Sequence, residues 1–535
     1  MAKELPASIW LPSLSELDLE GSGLEKRIGY LTTLTDLEFF SGDVSRQQIP
    51  SWIGNLTKLT YLDLSYCNFS GPIPSIIGNL IQLEELTLSW NYLTGNIPES
   101  LFALPALQYL YLDTNQLSGS LEDFPHPLYS GLSQINTIIL SDNQLAGPIP
   151  ESLFQLRNLQ YLYLDSNKLM GTIKLSSIWG LTNLTELDLS NNLISLIDTK
   201  GDTIAPYLPN IEYLAFASCN LKKLPAALRY LDTITDLDLS NNQIEGAIPS
   251  WVWENWKDQL TTLDLSHNML TTLEKSPSLV HMTTLAFLDL SSNRLEGTIP
   301  IPVTRSRVVV LDYSNNSFSI VSNFGRHLTN AIYINLSKNK LRGHIPASIC
   351  SLNKLDIMDL SYNYFGGPVP SCLIERGSLT VLKLRENRLH GVLPKNIGEG
   401  CKLETIDLNG NRIEAWAGTL PNLRVLVLRS NQLNGTIRDL HSVNEKHYYK
   451  HPVPKDEMYQ DIFTTTYKNF DFTLTKIQTA LKVIDFSDNT FNGSIPKSIG
   501  RLVSLHGLNM SHNNFTGQIP SQLGNLTRLE SMDLS

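Results

Sequence analysis

The chain has 535 residues, of which 41 are Lys or Arg and 52 are Asp or Glu, for a formal net charge of −11. Only 17% of residues are charged and 42% are apolar, so the balance falls to neutral polar residues and Gly. The apolar content excludes intrinsic disorder, the acidic balance argues against a nucleic-acid or anionic-membrane surface, and no apolar run approaches the ~18 residues that span a bilayer.

A repeat of the form L-x-x-L-x-L-x-x-N-x-L runs through almost the whole chain. Ser22 and Gly42 fill the Asn slot in two degenerate early copies, and Cys67 fills it in the next. Asn91, Asn115, Asn143, Asn167 and Asn192 follow, then Cys219, Asn242, Asn268, Asn293, Asn316, Asn339, Asn363, Asn387, Asn411 and Asn431. Asn489 and Asn513 come after an interruption, and Leu529, Met532 and Leu534 open a further copy. The spacing, roughly 25 residues over about 21 copies, specifies a leucine-rich-repeat solenoid. In Leu159-Gln-Tyr-Leu162-Tyr-Leu164 the leucines point inward and the residues between them outward, the alternation of a strand. One strand per coil predicts a long parallel sheet. A buried slot Asn must be hydrogen-bonded, so its amide is expected to join main-chain groups of its own and the adjacent coil into a ladder.

Beyond the slot a second signature recurs, as in Gly71-Pro72-Ile73-Pro74, Gly147-Pro148-Ile149-Pro150 and Gly493-Ser494-Ile495-Pro496. Gly permits a tight turn, Ile packs inward and Pro ends pairing. With it the chain resembles the plant-specific class of leucine-rich repeats found in receptor kinases and receptor-like proteins. The resemblance implies an α/β solenoid: a plant-type superhelix with one parallel strand per coil on its concave inner face.

Outward strand positions define that face. In the early coils we assign to it Tyr61, Trp90, Tyr109, Tyr111, Tyr161, Tyr163 and Tyr213, an aromatic tiling that either covers the sheet or contacts a ligand. A column of Asp at Asp63, Asp188, Asp238, Asp264, Asp289, Asp312, Asp359, Asp407 and Asp485 recurs wherever the repeat does and reads as framework. Further on the outward positions turn basic at Lys383, Arg385, Arg424 and Arg429, with Arg388 and Arg412 close by. These cations could meet an acidic ligand segment, acidic residues of the chain itself such as Asp456 and Glu457, or water.

The slots Asn431 and Asn489 stand far more than one coil apart, which marks an insertion at about 438–480. It carries His441, His447 and His451 together with Tyr448, Tyr449, Tyr459, Phe463, Tyr467, Phe470 and Phe472, a composition suited to a binding loop on a rigid scaffold. Phe470 to Leu474 alternates as a strand would. His447 and His451 lie four apart, but no Cys or carboxylate pattern completes a metal site, and no metal or other cofactor is expected. The organisation is thus a solenoid at 1–437, an island at 438–480 and a few final repeats at 481–535.

This island, with Tyr459 to Lys468 followed by Val483-Ile-Asp-Phe-Ser and Leu508-Asn-Met-Ser-His512-Asn513, is similar to that of plant receptor-like proteins of the Verticillium-resistance type. Where those proteins usually carry Gly after the Tyr-Lys pair, this chain has Asn469. The resemblance implies a cell-surface immune receptor at the extracellular face of the plasma membrane. Such a receptor binds a pathogen-derived protein or peptide, signals through co-receptor and adaptor kinases, and meets the membrane only through a helix absent from this chain. It also implies that the chain is an internal portion, lacking a signal peptide and caps. Tyr459, Tyr467, Lys468, Lys383, Arg385 and Arg429 are the expected ligand contacts. A developmental peptide-hormone receptor and a secreted inhibitor of microbial wall-degrading enzymes are the alternatives.

Ten Asn-x-Ser/Thr sequons, at Asn55, Asn68, Asn183, Asn315, Asn335, Asn434, Asn492, Asn509, Asn514 and Asn525, suit a secreted glycoprotein. Asn335 and Asn509 are expected on the inner face, where a ligand footprint would avoid their glycans. Of five cysteines, Cys67 and Cys219 sit in the ladder as buried thiols, and Cys350 and Cys372 occupy near-equivalent positions on consecutive coils, where a disulfide can form. No nucleophile elbow, phosphate loop, zinc-protease or kinase signature occurs, so an enzyme is not expected.

Overall fold

The computed structural model describes residues 16–18, 26–39, 46–121, 134–198, 208–275, 279–321, 327–375, 377–394, 401–416, 423–437, 463–467, 470–474 and 482–535. Among these, each coil contributes one short strand to parallel pairing, 21 strands in total. The strands from Glu16–Asp18 to Thr262–Asp264 belong to a first compact unit, residues 1–246 and 254–269. Those from Phe287–Asp289 to Ser531–Asp533 belong to a second, residues 247–253 and 270–535.

Neighbouring strands of each unit pair in step, apart from a shift at Val309/Val310 where Val309–Asp312 meets Ala331–Asn335. Tyr61 pairs with Glu85, Leu62 with Leu86 and Asp63 with Thr87. Val381, Leu382 and Lys383 pair in the same way with Thr405, Ile406 and Asp407. Equivalent residues therefore stack into columns, and the inward leucines Leu62, Leu86 and Leu110 lose all exposure to water. Each such side chain contributes about 1.5–3 kcal/mol, and truncating one to Ala costs roughly 2–5 kcal/mol because the next coil cannot collapse into the gap.

The strand ends where the residue before the slot takes a left-handed conformation, at φ 55 for Tyr66, 58 for Trp90, 53 for Asn241 and 54 for Tyr362. That conformation is unfavourable for a side chain by about 1–2 kcal/mol, and the slot Asn offsets it. Asn91 Nδ2 donates to the carbonyls of Leu64, Leu88 and Ser89 at 2.8, 3.0 and 3.1 Å, and its Oδ1 accepts from the N–H groups of Cys67 and Phe69 at 3.2 and 2.8 Å. Leu64, Cys67 and Phe69 belong to the preceding coil, so one amide clasps two coils, as the buried-Asn ladder requires. Asn115, Asn143, Asn167, Asn192, Asn242, Asn268, Asn363 and Asn387 repeat the arrangement. Asn293 donates to Leu290 and Ser291 and accepts from Leu270. In the Cys slots a thiol donates instead. Cys67 Sγ lies 2.7 Å from the Phe39 carbonyl, whereas Cys219 Sγ lies 3.5 Å from that of Leu189.

Trp90, assigned from sequence to the inner face, stands at the turn, beyond the strand Glu85–Thr87. Its ring stacks on Tyr66 with centroids 5.1 Å apart. Trp90 thus lies outside the strand, three residues past its end, and is 50% exposed.

Two features have no counterpart in the sequence reading. After the slot a second set of short parallel strands forms, six of them from Ser70–Pro72 to Leu193–Ile197 in the first unit and four from Arg342–His344 to Arg412–Ala415 in the second. Gly71 and Gly147 begin or bend these strands at φ 78 and 81, a region closed to most side chains. The Pro of the second signature then starts a single 3-10 turn rather than only ending a strand. Pro74, with φ −72, precedes Ser75–Asn79, which buries Ile77 and closes with the Leu80 N–H on the Ile77 carbonyl. Pro50 and Pro496 do the same before Ser51–Asn55 and Lys497–Arg501.

Cys350 and Cys372 form a disulfide with Cα atoms 5.7 Å apart, and Cys67, Cys219 and Cys401 are buried free thiols. Within the island, Phe463–Tyr467 and Phe470–Leu474 pair as an antiparallel hairpin, so the alternating stretch is indeed a strand.

Candidate ligand-binding face

In the first unit the outward strand positions form a half-exposed surface on which tyrosines alternate with carboxylates. Tyr61 and Asp63 lie beside Glu85 and Thr87, then Tyr109 and Tyr111. Further along, Tyr161 and Tyr163 lie beside Glu186 and Asp188, then Tyr213. The rings of Tyr163 and Tyr213 stack at 5.9 Å. The Tyr163 hydroxyl donates to Glu186, and that of Tyr213 donates to Asp188 Oδ2 at 3.0 Å. The early tyrosines thus form a tiling, as read from sequence, but one organised by the acids between them. The sequence signal for those acids is the outward strand position that Glu85 and Glu186 hold in the repeat.

The Asp column is framework as well. Asp188 Oδ1 accepts the Ser190 N–H at 2.8 Å, and Asp63, Asp238, Asp264, Asp312 and Asp359 accept the same bond from the residue two positions on. Burial raises the Asp188 carboxyl from 3.8 to about 6, and the charge of Asp165 adds to the rise against the bonds from Ser190 and Tyr213. Burial, then the charge of Asp63, raises Glu85.

In the second unit part of the outward face is closed to water. Tyr333, Ile357 and Val381 are buried together with Ile332, and Val310 packs against them. Lys383 is 4% exposed and Asp407, its register partner, 3%. Burial lifts Asp407 to about 6, while the Asn409 N–H and the charges of Arg385 and Lys383 pull it back. Lys383 is therefore not a solvated charge. Arg385 is half-buried with its guanidinium 5.8 Å from the Tyr362 ring, and Arg424 pairs with Glu404 at 2.8 Å. Arg429 is half-buried on the same coil as Arg424, just past the strand Val425–Val427. The structure thus brings Lys383 and Arg385 together at the end of one strand, with Arg429 two coils away. Tyr459 and Lys468 lie outside the described residues. Tyr467 lies in the hairpin, opposite Phe470.

Of the sequons, Asn55, Asn183, Asn315, Asn434, Asn492, Asn514 and Asn525 are exposed, Asn68 and Asn335 half-buried, and Asn509 5% exposed. Asn509 stands in the Asp column, accepting the Ser511 N–H at 3.1 Å, and Asn335 does the same for Ser337. Among the described residues no group of three His, Cys, Asp or Glu side chains could hold a metal, and no helix is long and apolar enough to cross a membrane.

Comparison with known proteins matches the leucine rich repeat family at residues 57–117 and 133–194, and a second leucine rich repeat model at 233–255, 259–282, 330–352, 480–502 and 504–526. Receptor like protein 22 of Arabidopsis thaliana is 33% identical over 190 residues, 35% of this chain and 24% of that protein. Receptor like protein 27 of the same plant is 32% identical over 193 residues, 36% of this chain and 23% of that protein. The matched part thus spans about a quarter of these relatives' length. Among solved structures, that of PEPR1-AtPEP1 superposes with a TM-score of 0.73 at 30% identity, covering 97% of this chain and 68% of that one. The Arabidopsis receptor kinase HAESA, in complex with the peptide hormone IDA and the co-receptor SERK1, superposes with a TM-score of 0.65 at 28% identity over 94% of this chain and 74% of that one.

Proposed function

Because the chain belongs to the plant leucine-rich-repeat receptor-like proteins, we propose that it is the ligand-binding part of a cell-surface receptor that captures a pathogen-derived protein or peptide and signals defence through co-receptor and adaptor kinases. The observation that carries the reading is the strand face itself. Most described coils are locked to the preceding one by a buried amide and two by a thiol, so outward side chains are held at fixed spacing before any ligand arrives, and little ordering entropy remains to oppose binding. Tyr163 and Tyr213 offer ring faces beside Glu186 and Asp188, and Arg385 and Arg429 offer half-buried cations in the other unit. Tyr459, Tyr467 and Lys468 of the island complete the proposed contact set. The site is one of recognition and not of catalysis, at the extracellular face of the plasma membrane, with N-linked glycans on exposed sequons.

A developmental peptide-hormone receptor is the second reading, favoured by the structural likeness to HAESA bound to the hormone IDA. The test is binding of the purified chain to two panels, secreted microbial proteins and small secreted plant peptides, followed by Arg385→Glu and Arg429→Glu in the chain. The immune reading expects a microbial ligand whose binding those changes weaken. Saturable binding confined to plant peptides would replace it with the hormone reading. Inhibition of a microbial wall-degrading enzyme that survives deletion of 438–480 would replace both with the secreted-inhibitor reading.

A further inference from the structure

The turn before the slot carries a feature that the strand face does not use. In two consecutive coils of the first unit the left-handed residue there is aromatic, Tyr66 and Trp90, and the two rings stack 10° from parallel with centroids 5.1 Å apart. Stacking covers one face of each ring, yet Tyr66 is 46% and Trp90 50% exposed. In the coils that follow, the same position holds polar residues suited to water, Thr114, Asp142 and Ser166. Tyr92, also exposed, adds a third ring, with the Arg46 guanidinium 4.8 Å from its centre. An exposed apolar patch of this kind marks a contact surface. The three rings surround one sequon, Asn68-Phe69-Ser70. Tyr66 stands two residues before Asn68, Trp90 stacks on Tyr66 from the next coil, and Tyr92 lies opposite Ser70 in register. Phe69 is buried in the core, while Asn68 and Ser70 on either side of it are half-buried. Asn514 holds the corresponding place after its own slot in the second unit, with His512 in place of Tyr66, and is exposed.

We infer that Asn68 carries an N-linked glycan whose first sugar, an N-acetylglucosamine, lies on the aromatic patch of Tyr66, Trp90 and Tyr92 and fixes this turn of the solenoid. Attachment joins Asn68 Nδ2 to the sugar C1 as the C1–O bond to a lipid-linked pyrophosphate donor breaks and the amide gives up one proton. Asn68 keeps part of its side chain open for the bond, unlike Asn509, which is enclosed. The flat side of a pyranose presents C–H groups to the negative face of an aromatic ring, and its hydroxyls stay in water at the rim. Tethering selects this occupant. A sugar bonded two residues from Tyr66 reaches the rings as an intramolecular partner, at an effective concentration that a diffusing peptide does not match. The inference rests on the reading of the chain as extracellular and glycosylated, and is separate from whatever ligand the strand face takes.

The test uses the full chain passed through the secretory pathway of plant cells, with glycan processing held at the high-mannose stage, and reads glycopeptides and amide hydrogen exchange. Asn68 is expected to be occupied. The exposed sequons Asn55 and Asn183 report the extracellular reading on their own: both occupied with Asn68 bare would overturn the inference alone, and all three bare would overturn it together with that reading. Asn68→Asp removes the glycan and keeps a side chain that tolerates the left-handed backbone of Asn68. Exchange across 60–95 is expected to become roughly five-fold faster, the factor for one aromatic contact, whereas Asn514→Asp leaves exchange across 505–520 unchanged. Trimming with endoglycosidase H to a single sugar is expected to preserve the protection at 60–95. In the Tyr66→Ala, Trp90→Ala background, and in the chain made without glycans, Asn68→Asp is expected to have no effect. No acceleration in the otherwise wild-type glycosylated chain, equal acceleration in either of those controls, or loss of protection on trimming would each overturn the inference.

Discussion

Replacing Asn242 tests the clasp on which the fold depends. Its Nδ2 donates to the carbonyls of Phe216, Leu239 and Ser240 at 2.8, 3.0 and 2.9 Å, and its Oδ1 accepts from Cys219 and Leu221 at 3.0 and 2.9 Å, all in a site 8% exposed. Asn242→Ala leaves two buried N–H groups without acceptors and removes the donor from three carbonyls. Each orphaned group costs about 1–3 kcal/mol, so the two N–H groups alone predict a loss of about 3 kcal/mol. Asn242→Cys keeps a donor, as the native Cys67 slot does, and is expected to lose less. Asn242→Asp keeps the acceptor but turns a carboxylate oxygen towards three carbonyls, and is expected to be the least stable at pH 7. Its folded-state pKa must lie above the unfolded value of ~3.9. Its deficit relative to wild type should therefore be small below that value and grow as pH rises through the folded pKa. A repeat array of this length need not unfold as one unit, so the assay is amide hydrogen exchange across 216–244. A loss of ~3 kcal/mol appears there as roughly a hundred-fold faster exchange. An Asp variant as well protected as the Ala variant at pH 7, with no dependence on pH, would refute the account of the amide as a dual donor and acceptor.

Four further outcomes follow from the same structure. Asp188 and Asp407 are both raised to about 6. Their contribution is fully present below the unfolded carboxylate pKa and lost as pH rises through about 6, so melting should occur at higher temperature near pH 5 than at pH 7. Asp188→Asn, which keeps an acceptor for Ser190 as Asn509 does for Ser511, should flatten that dependence; an unchanged slope would refute the assignment. Cys372→Ser should cost about 3 kcal/mol, the chain-entropy value for a closed loop of this size, detected as earlier denaturant unfolding. Thiol labelling of the native wild-type chain should stay slow because the free thiols Cys67, Cys219 and Cys401 are buried. Glycopeptide mapping of the secreted chain should find Asn434, Asn492 and Asn514 occupied and Asn509 bare, because its amide is enclosed and hydrogen-bonded; full occupancy at Asn509 would contradict its place in the folded sheet.

The solenoid was legible because its causes are local and periodic. The slot Asn must recur at one phase if each amide is to reach two coils, and Cys350 and Cys372 are 22 residues apart, close to one coil, which sets their Cα atoms 5.7 Å apart. The second strands and the Pro-led turns were less legible, since three-residue segments such as Ser70–Pro72 carry no periodic signal of their own. That Trp90 lies past the strand, in a left-handed residue before the slot, does not announce itself in an apolar pattern. Of the candidate site, the identities of Tyr163, Tyr213, Lys383 and Arg385 were readable, and their environments were not. Whether Lys383 meets water or lies beside Asp407 depends on what surrounds it in space, which one coil of sequence does not encode.

The clasp also has a mechanical meaning. The slot amides fasten each coil to its immediate neighbour, so tension along the chain of coils passes through these joints in series and the weakest joint sets the breaking force. At the Asn192–Cys219 joint of the first unit a thiol reaches the preceding coil at 3.5 Å, where Asn242 reaches its own at 2.8 Å. Under load within that unit, the first rupture should occur at Cys219, and a Cys219→Asn chain should hold to a higher force.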